Sequence, residues 1–338
     1  MCYAASLCIT SSFYSSFATP STNIKNNNIY PGGMRLLAPV VIFVYARPEH
    51  TKRTIEALAQ NYLAKETEVF IYSDAAKGEK TVDKVRMVRE YIDSLPQKNL
   101  FKSIKIIKSQ SNKGLANSVI SGVSEIIDKY GRVIVLEDDL VSSRDFLQYM
   151  NDALNFYEKD YDIWSISGYT FNIDIPKDYK SDVYLSYRGC SWGWATWKDR
   201  WEKVDWDVSD YNQFKNDKRA RKMFNRGGRD MANMLDLQME GKIDSWAIRW
   251  CYTQYKLGML TVYPVVSRIK NIGLDGSGTH SGITSKYDVV LNNSSQKCRF
   301  DKPHLDERIL KAFRDQFGTR YDYFLIGMKR TIKKLLGM

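Results

Sequence analysis

Short apolar runs alternate with amphipathic stretches after Pro39, and this alternation limits the possible folds more than any other feature of the sequence. The stretches between the apolar runs have apolar residues at the spacing of an amphipathic helix. Each unit therefore reads as a strand followed by a helix. The predicted strands are 39–45, 68–72, 103–108, 132–136 and, further on, 260–264. The predicted helices between the first four are 50–62, 81–94 and 114–129. This order predicts an α/β fold with a mostly parallel sheet, right-handed crossovers and flanking helices.

Polar residues follow each of the first four predicted strands. In parallel sheets of this kind, ligands bind beyond the carboxyl ends of the strands. We therefore expect these residues to share one ligand site. They are Arg47 after the first strand, Asp74 after the second, Asn112 and Gly114 after the third, and Glu137, Asp138 and Asp139 after the fourth.

The three consecutive acids 137–139 are the sharpest local signal. Adjacent carboxylates repel one another unless a cation neutralises them. Mg²⁺ and Mn²⁺ prefer oxygen ligands and are often shared between a carboxylate and substrate phosphates. The run therefore indicates a metal site, and a solvated turn or a helix N-cap is the alternative interpretation.

The other strand ends each allow two interpretations. Asn112 and Gly114 precede a helix whose first amides could bind an anion, or they could be an ordinary helix start. Arg47 could place a guanidinium on a phosphate, or it could be a surface residue before a helix. Asp74 could accept hydrogen bonds from a base or ribose, or it could cap a turn.

The second half of the chain is rich in tryptophan. All eight tryptophans lie between Trp164 and Trp250. Such clustering suits stacking on sugar rings or nucleobases, and it equally suits an aromatic core. We expect most of them to be core and one or two, within 191–194, to line a site. The candidates for contact with a second substrate are Trp192, Trp194 and Trp246.

Two further segments carry chemistry. Asp244 lies beside an indole, and an apolar neighbour makes a carboxylate a better proton acceptor, so Asp244 is a candidate general base. The alternative is a solvated aspartate before a helix. Residues 271–282 contain four glycines together with Ser277 and His280, and they could wrap an anionic ligand or form a surface loop.

Taken in order, these segments resemble metal-dependent glycosyltransferases of the GT-A fold. Within that fold they are most similar to the N-acetylglucosaminyltransferase I type and its bacterial sugar-transferase relatives. The resemblance runs from about 38 to 285 and is most specific at 133–150, where the strand and the three acids lie. The other matching segments are 41–58, 71–74, 164–169, 193–197, 244–246 and 276–280.

The resemblance, together with the strand-end pattern, implies roles for individual residues. Asp139 would coordinate Mn²⁺ or Mg²⁺ bridging the diphosphate, and Asp244 would be the catalytic base. Asp74 would contact the uracil or ribose. Ser245 stands where the family carries an acid, which shifts the base assignment to Asp244. The implied nucleotide-sugar-binding residues are Arg47, Asp74, Asn112, Gly114, Glu137, Asp138, Ser277 and His280.

The activity implied by the resemblance is inverting transfer of a sugar, with UDP-GlcNAc favoured, to a hydroxyl of a glycan or lipid-linked acceptor. Bacterial surface polysaccharide synthesis is the implied setting. One alternative is a sugar-phosphate nucleotidyltransferase, which would carry a glycine-rich loop where residues 46–50 read ARPEH. Another is a non-catalytic glycan- or nucleic-acid-binding protein, which has no need of the three acids.

The charge balance points to anionic partners. There are 50 Lys and Arg against 39 Asp and Glu, a net charge of +11. No common nucleic-acid-binding motif is present, so a nucleotide diphosphate and an anionic membrane surface are the expected partners. Residues 319–338 read as an amphipathic basic helix, which could lie on a membrane or pack on the domain.

Five dispersed cysteines favour a reducing compartment, so we expect a cytoplasmic protein, peripheral at the inner face of the membrane. The expected organisation has four parts. Residues 1–34 form a disordered leader, with Met34 as a possible start site, and 35–165 form a nucleotide-sugar-binding half. Residues 166–298 form an acceptor-binding and catalytic half, and 299–338 form a basic helical tail.

Overall fold

The computed structural model describes residues 37–276, 283–294 and 296–318. The predicted leader 1–34, the basic helix 319–338, Ser277 and His280 lie outside the described residues. The four-part division of the chain therefore stays a prediction.

Strands and helices alternate along the described chain as the sequence predicts. The strands are β1 (Val40–Val44), β2 (Glu68–Ser73), β3 (Ser103–Lys108), β4 (Arg132–Glu137), β5 (Leu140–Ser142), β6 (Ile163–Ser167), β7 (Val183–Ser186), β8 (Trp194–Trp197), β9 (Leu260–Pro264) and β10 (Ile269–Asn271). The helices are α1 (Pro48–Ala59), α2 (Glu79–Asp93), α3 (Leu115–Tyr130), α4 (Phe146–Phe156), α5 (Lys198–Trp201), α6 (Tyr211–Asn216), α7 (Lys218–Phe224), α8 (Met231–Met239), α9 (Trp246–Lys256) and α10 (Glu307–Asp315). The five predicted strands and three predicted helices are confirmed to within a few residues.

Eight strands form one mixed sheet in the order β3-β2-β1-β4-β8-β6-β9-β7. Six of them run parallel, while β8 and β7 run antiparallel to their neighbours. A second, two-stranded sheet pairs β5 with β10. Because β1, β2, β3 and β4 are mutually parallel, their carboxyl ends meet at one edge of the sheet.

Helices cover both faces of the large sheet. Along β1, Val40, Ile42 and Val44 contribute to one buried cluster, and Val41 and Phe43 contribute to the other. The first cluster contains side chains of α1, α2 and α4, and the second contains those of α3 and α9. Burial on both faces explains why β1 is an unbroken apolar run. The prediction of an α/β fold with a mostly parallel sheet flanked by helices is confirmed.

Most tryptophans in the second half of the chain belong to the hydrophobic core. Six of the eight tryptophans are less than 4% exposed. Trp164, Trp194 and Trp250 are nearly or completely buried, and the ring centroid of Trp250 lies 5.8 Å from that of Trp164 and 4.7 Å from that of Trp194. Among the helices of the described part, none combines the length and hydropathy needed to cross a bilayer.

Candidate functional site

The carboxyl ends of β1, β2 and β4 open onto one cavity of about 590 Å³, referred to below as the strand-end cavity. This volume is in the range of small-molecule binding sites. The cavity brings together the strand-end residues that the sequence indicates, with Asp244 and Trp192 from the second half of the chain. The predicted residues that line it are Arg47, Asp74, Asn112, Gly114, Glu137, Asp138, Asp139, Trp192 and Asp244.

Arg47 bridges the second and third acids of the run. Its Nη2 contacts Asp138 Oδ1 and lies 2.9 Å from Asp139 Oδ2. Arg47 directly precedes Pro48, the first residue of α1, and its φ of −130° and ψ of 76° lie outside the helical region, as expected for a residue before proline. The guanidinium is therefore an internal countercharge. The phosphate-binding role of Arg47 stays a prediction, and sequence reasoning missed this ion pair.

The environment of the acidic run opposes ionisation of its carboxyl groups. Burial raises the pKa of Glu137 to about 8, and the charges of Asp139 and Asp138 act in the same direction. Burial also raises the pKa of Asp138, although Arg47 opposes this shift. Three carboxyl groups face one guanidinium, so an additional cation would relieve the remaining repulsion.

The donor set at the strand end fits a hard divalent cation that takes part of its coordination from a substrate. Within the described ranges, no three His, Cys, Asp or Glu side chains gather into a complete protein cage. Mg²⁺ and similar ions are commonly held by one or two carboxylates plus phosphate oxygens and water. Glu137, Asp138 and Asp139 all line the cavity, and the assignment of Asp139 as the metal ligand stays a prediction.

The segment after β10 lies directly against Asp139. Ile272 N donates to the Asp139 carbonyl oxygen at 2.9 Å. A Cβ on Gly273 would overlap the Asp139 carboxylate and lie 2.7 Å from Arg47 Nη1. Only a glycine fits at this contact without moving the charged groups. His50 Nε2 lies 3.1 Å from Asp275 Oδ2 and ties the same segment to α1.

Asp74 is engaged within the protein. Its oxygens accept hydrogen bonds from the backbone N–H groups of Lys113 and Gly114 at 3.0 Å. They also accept from Asn112 Nδ2 at 3.1 Å and from Ala75 N at 2.9 Å. The anion that the sequence predicts at the start of α3 is thus supplied by Asp74. Contact of Asp74 with the uracil or ribose stays a prediction.

Asp244 lies on the exposed turn before α9. A Cβ on Gly114 would lie 3.3 Å from Asp244 Oδ2, and the φ of Gly114 is +76°, so glycine allows this approach. The neighbouring Ser245 is the N-cap of α9, where its Oγ accepts from Ile248 N at 3.3 Å. The position where the family carries an acid therefore caps the helix here, and Asp244 is the acid that faces the cavity.

The tryptophan assignments need a correction. Trp192 is half-buried at the strand-end cavity and packs edge-on against Tyr169, with ring centroids 4.8 Å apart. Trp194 and Trp246 are 1% and 2% exposed and pack on each other in the core. Neither has a face open to a ligand, so the assignment of these two indoles to acceptor contact does not stand.

Several site residues were missed from the sequence. Thr54 is fully buried in α1, where its hydroxyl donates to the Asp138 carbonyl and accepts from Leu140 N, which fixes the turn after β4. The Tyr45 hydroxyl accepts from Lys77 N at 3.0 Å and holds the segment before α2 at the cavity. Both sets of hydrogen bonds join segments far apart in sequence, so no local sequence pattern predicts them.

With this geometry established, comparison with known proteins defines the class. The family model described as Glycosyl transferase family 2 matches residues 40–228, which is more than half of the chain. The chain belongs to this family. The resemblance to GT-A glycosyltransferases, and the expectation of a glycosyltransferase enzyme, are confirmed at the level of the family.

A curated relative is the alpha-1,3-mannosyl-glycoprotein 2-beta-N-acetylglucosaminyltransferase of Arabidopsis thaliana, which is 24% identical over 199 residues. The match covers 52% of this chain and spans 42% of the length of that protein.

Two solved structures are also similar, each at 13% identity. One is the mannosyltransferase PcManGT from Pyrobaculum calidifontis in complex with GDP-Man and Mn²⁺, with a TM-score of 0.34 over 49% of this chain and 46% of that one. The other is GalNAc-T7 with UDP, GalNAc and Mn²⁺, with a TM-score of 0.39 over 68% of this chain and 42% of that one. These TM-scores are low, so the assignment rests on the family match.

Proposed function

We propose that the protein is an inverting, divalent-metal-dependent glycosyltransferase that transfers a sugar from a nucleotide donor to an acceptor hydroxyl. The observation that carries the proposal is the convergence of two acidic features on one cavity. The run 137–139 lies at the end of β4, and Asp244 reaches the same cavity from the turn before α9. The acidic run suits binding of a cation together with the anionic donor, and Asp244 suits removal of a proton from the acceptor.

The donor side of the site stabilises negative charge on the leaving diphosphate. Asp139 would hold Mn²⁺ or Mg²⁺, and the cation supplies charge neutralisation for the leaving group. Glu137 and Asp138 would accept hydrogen bonds from sugar and ribose hydroxyls. Arg47 keeps these carboxylates in place and would contact a phosphate. Ser277 or His280, which lie outside the described residues, would contact the diphosphate.

The acceptor side of the site would remove the proton of the attacking hydroxyl. The acceptor oxygen would form a bond to the anomeric carbon while the bond from that carbon to the diphosphate oxygen breaks. Asp244 would take the proton of the attacking hydroxyl, and a single displacement of this kind inverts the anomeric centre. The half-buried Trp192 offers an apolar ring against which an acceptor sugar could stack.

UDP-GlcNAc is the proposed donor, since the curated Arabidopsis relative is named as an N-acetylglucosaminyltransferase. The proposed acceptor is a glycan or lipid-linked saccharide of bacterial surface polysaccharide synthesis. A lipid-linked acceptor would place the protein at the cytoplasmic face of the membrane. The net charge of +11 supports association with an anionic donor and an anionic surface.

A donor screen tests the proposal. Purified full-length protein is heated with UDP-, GDP- and CMP-sugars, with and without Mn²⁺, and its melting temperature is recorded. We expect the largest stabilisation from UDP-GlcNAc with Mn²⁺. Asp139→Asn should lose the metal-dependent part of the shift, and Asp128→Asn is the control because Asp128 is an exposed acid on α3. Stabilisation by UDP-GlcNAc that is equal with and without metal would contradict the proposed metal dependence.

Product analysis separates this reaction from the two alternatives. A glycosyltransferase releases UDP and attaches the sugar to an added acceptor. A nucleotidyltransferase would instead join a nucleoside triphosphate to a sugar phosphate and release pyrophosphate. A binding protein would leave the donor unaltered in the presence of metal and acceptor.

A further inference from the structure

More than half of the net charge of the chain is concentrated in fifteen residues. Residues 215–229, the basic segment, contain seven cations and one acid, Asp217, for a net charge of +6 out of +11. The cations are Lys215, Lys218, Arg219, Arg221, Lys222, Arg226 and Arg229. The segment covers the end of α6, all of α7 and the short turn that follows.

Three of the seven cations of the basic segment lie on the outer face of α7. Lys218, Arg219 and Lys222 are exposed, and Lys222 is next to both of the others on the helix surface because it lies four residues after Lys218 and three after Arg219. Met223, at the edge of the same side, is 38% exposed. The opposite side is anchored by Phe224, which is 1% exposed and packs edge-on against Tyr252.

The acids near the basic segment already have interaction partners within the protein. Asp217 caps α7, where its carboxylate accepts from Arg219 N and Ala220 N. Asp236 pairs with Arg221 at 2.6 Å. In the part of the chain that the structure describes, no carboxylate forms an ion pair with Lys218, Arg219 or Lys222. Their charge is therefore available to an external anionic partner.

The basic segment contacts the end of α10 and the residue two positions after it. Arg229 pairs with Asp315 at the end of α10. A Cβ on Gly228 would lie 3.1 Å from Phe317 Cδ2. Residues 319–338 follow directly in sequence and contain five cations and one acid, a net charge of +4.

The basic segment is also linked to the turn before α9 that carries Asp244. It is followed by α8, and Gln238 of α8 accepts a hydrogen bond from Ser245 N at 2.6 Å through its Oε1. Ser245 is the residue after Asp244. Only α8 therefore lies between the surface of α7 and Asp244, the residue proposed to receive the proton of the acceptor.

We propose that the outer face of α7 is a docking surface for an anionic lipid membrane. Clustered Lys and Arg on one helix side, with an exposed apolar residue at its edge, is the arrangement that binds anionic headgroups. The inference rests on the proposed function only in assigning a purpose to docking, which is delivery of a lipid-linked acceptor to Asp244. Membrane binding itself is measurable without any donor or acceptor.

Flotation of the full-length protein with vesicles tests the inference. We expect binding to vesicles of phosphatidylglycerol mixed with phosphatidylcholine, loss of binding at high salt, and little binding to phosphatidylcholine alone. In Lys218→Gln/Arg219→Gln/Lys222→Gln, partitioning should fall by roughly 100-fold, given about 1 kcal/mol for each basic residue at an anionic surface. The matched control is Lys52→Gln/Lys105→Gln/Lys159→Gln, which removes three exposed cations elsewhere and should retain binding.

The possible results separate this inference from the proposed function. Wild-type binding by the α7 triple variant, or an equal loss in the control variant, would overturn the docking surface. Tighter binding of the wild type to a single-stranded RNA or duplex DNA probe than to the anionic vesicles would overturn it as well. The melting temperature of each variant with UDP-GlcNAc and Mn²⁺ is measured in parallel. Failure of that shift with intact vesicle binding would count against the proposed function alone.

Discussion

Substitution of Gly273 by alanine tests how closely the segment after β10 is fitted to the proposed metal ligand. The added Cβ would overlap the Asp139 carboxylate and lie 2.8 Å from Asp139 Cγ. Non-bonded carbon atoms prefer about 3.5–4.0 Å, so the side chain of Asp139 must move by about 1 Å. Gly273 does not occupy the left-handed region, so its backbone accepts alanine without strain.

The expected consequence of Gly273→Ala is lost ligand binding in a folded protein. Misplacement of a catalytic group by about 1 Å can cost on the order of 100-fold, so affinity for UDP with Mn²⁺ should fall by about 10- to 100-fold. The free energy of unfolding should fall by about 1–3 kcal/mol, because the added methyl group is overpacked against Asp139 and Arg47.

Isothermal titration calorimetry with UDP and Mn²⁺ measures this affinity, and thermal unfolding checks the fold. Gly78→Ala is the matched control. Its Cβ would meet nothing within 4 Å, and its φ of −179° is ordinary extended backbone. Wild-type affinity in a well-folded Gly273→Ala protein would refute the argument that Asp139 holds the cation from its position in this structure.

Three further substitutions have defined outcomes. Asp74→Ala leaves three backbone N–H groups without their acceptor and should lower stability by about 2–4 kcal/mol in urea unfolding, whereas Asp83→Ala on an exposed surface should change it little. Arg47→Met removes the countercharge of two acids and should cost about 2–4 kcal/mol, and Mn²⁺ should raise its melting temperature more than that of the wild type; an equal rise in both would contradict the countercharge role. Hydrogen bonds from Arg308 lower the pKa of Asp306 from 3.8 to about 2, so its ionised form stabilises the fold above its unfolded pKa and this contribution is lost as the pH falls through about 2. Asn caps a helix about as well as Asp, so Asp306→Asn should lose only the charge pair with Arg308, about 0.2–1 kcal/mol at pH 7, and the gap should close in acid; a gap that does not depend on pH would contradict the assignment.

The sequence predicts the first half of the fold well because each element there has a strong local signal. The runs that form β1 and β4 are continuous and β-branched, and α3 has a clear apolar stripe that ends at Gly131. Parallel pairing then brings the strand ends together as a matter of topology. The positions of Arg47, Asp74 and Glu137–Asp139 at one cavity follow from these local features alone.

The rest of the site depends on contacts between distant segments. The antiparallel insertion of β8 between β4 and β6 has no local signature, and it is what buries Trp194 on both sides. The occupation of Asp74 by the residues before α3 depends on a separation of about forty residues. Both interpretations of each residue fit the sequence equally, and only the packing distinguishes a ligand contact from an internal one.

Turnover of Asp244→Asn is the measurement that tests the central claim most directly. The change keeps the size of the side chain and removes its ability to take a proton. With UDP-GlcNAc, Mn²⁺ and a saccharide acceptor, we expect kcat to fall by at least about 100-fold while the affinity for UDP-GlcNAc stays close to that of the wild type. A variant with normal kcat, or one that loses donor affinity instead of turnover, would contradict the assignment of Asp244 as the base at the strand-end cavity.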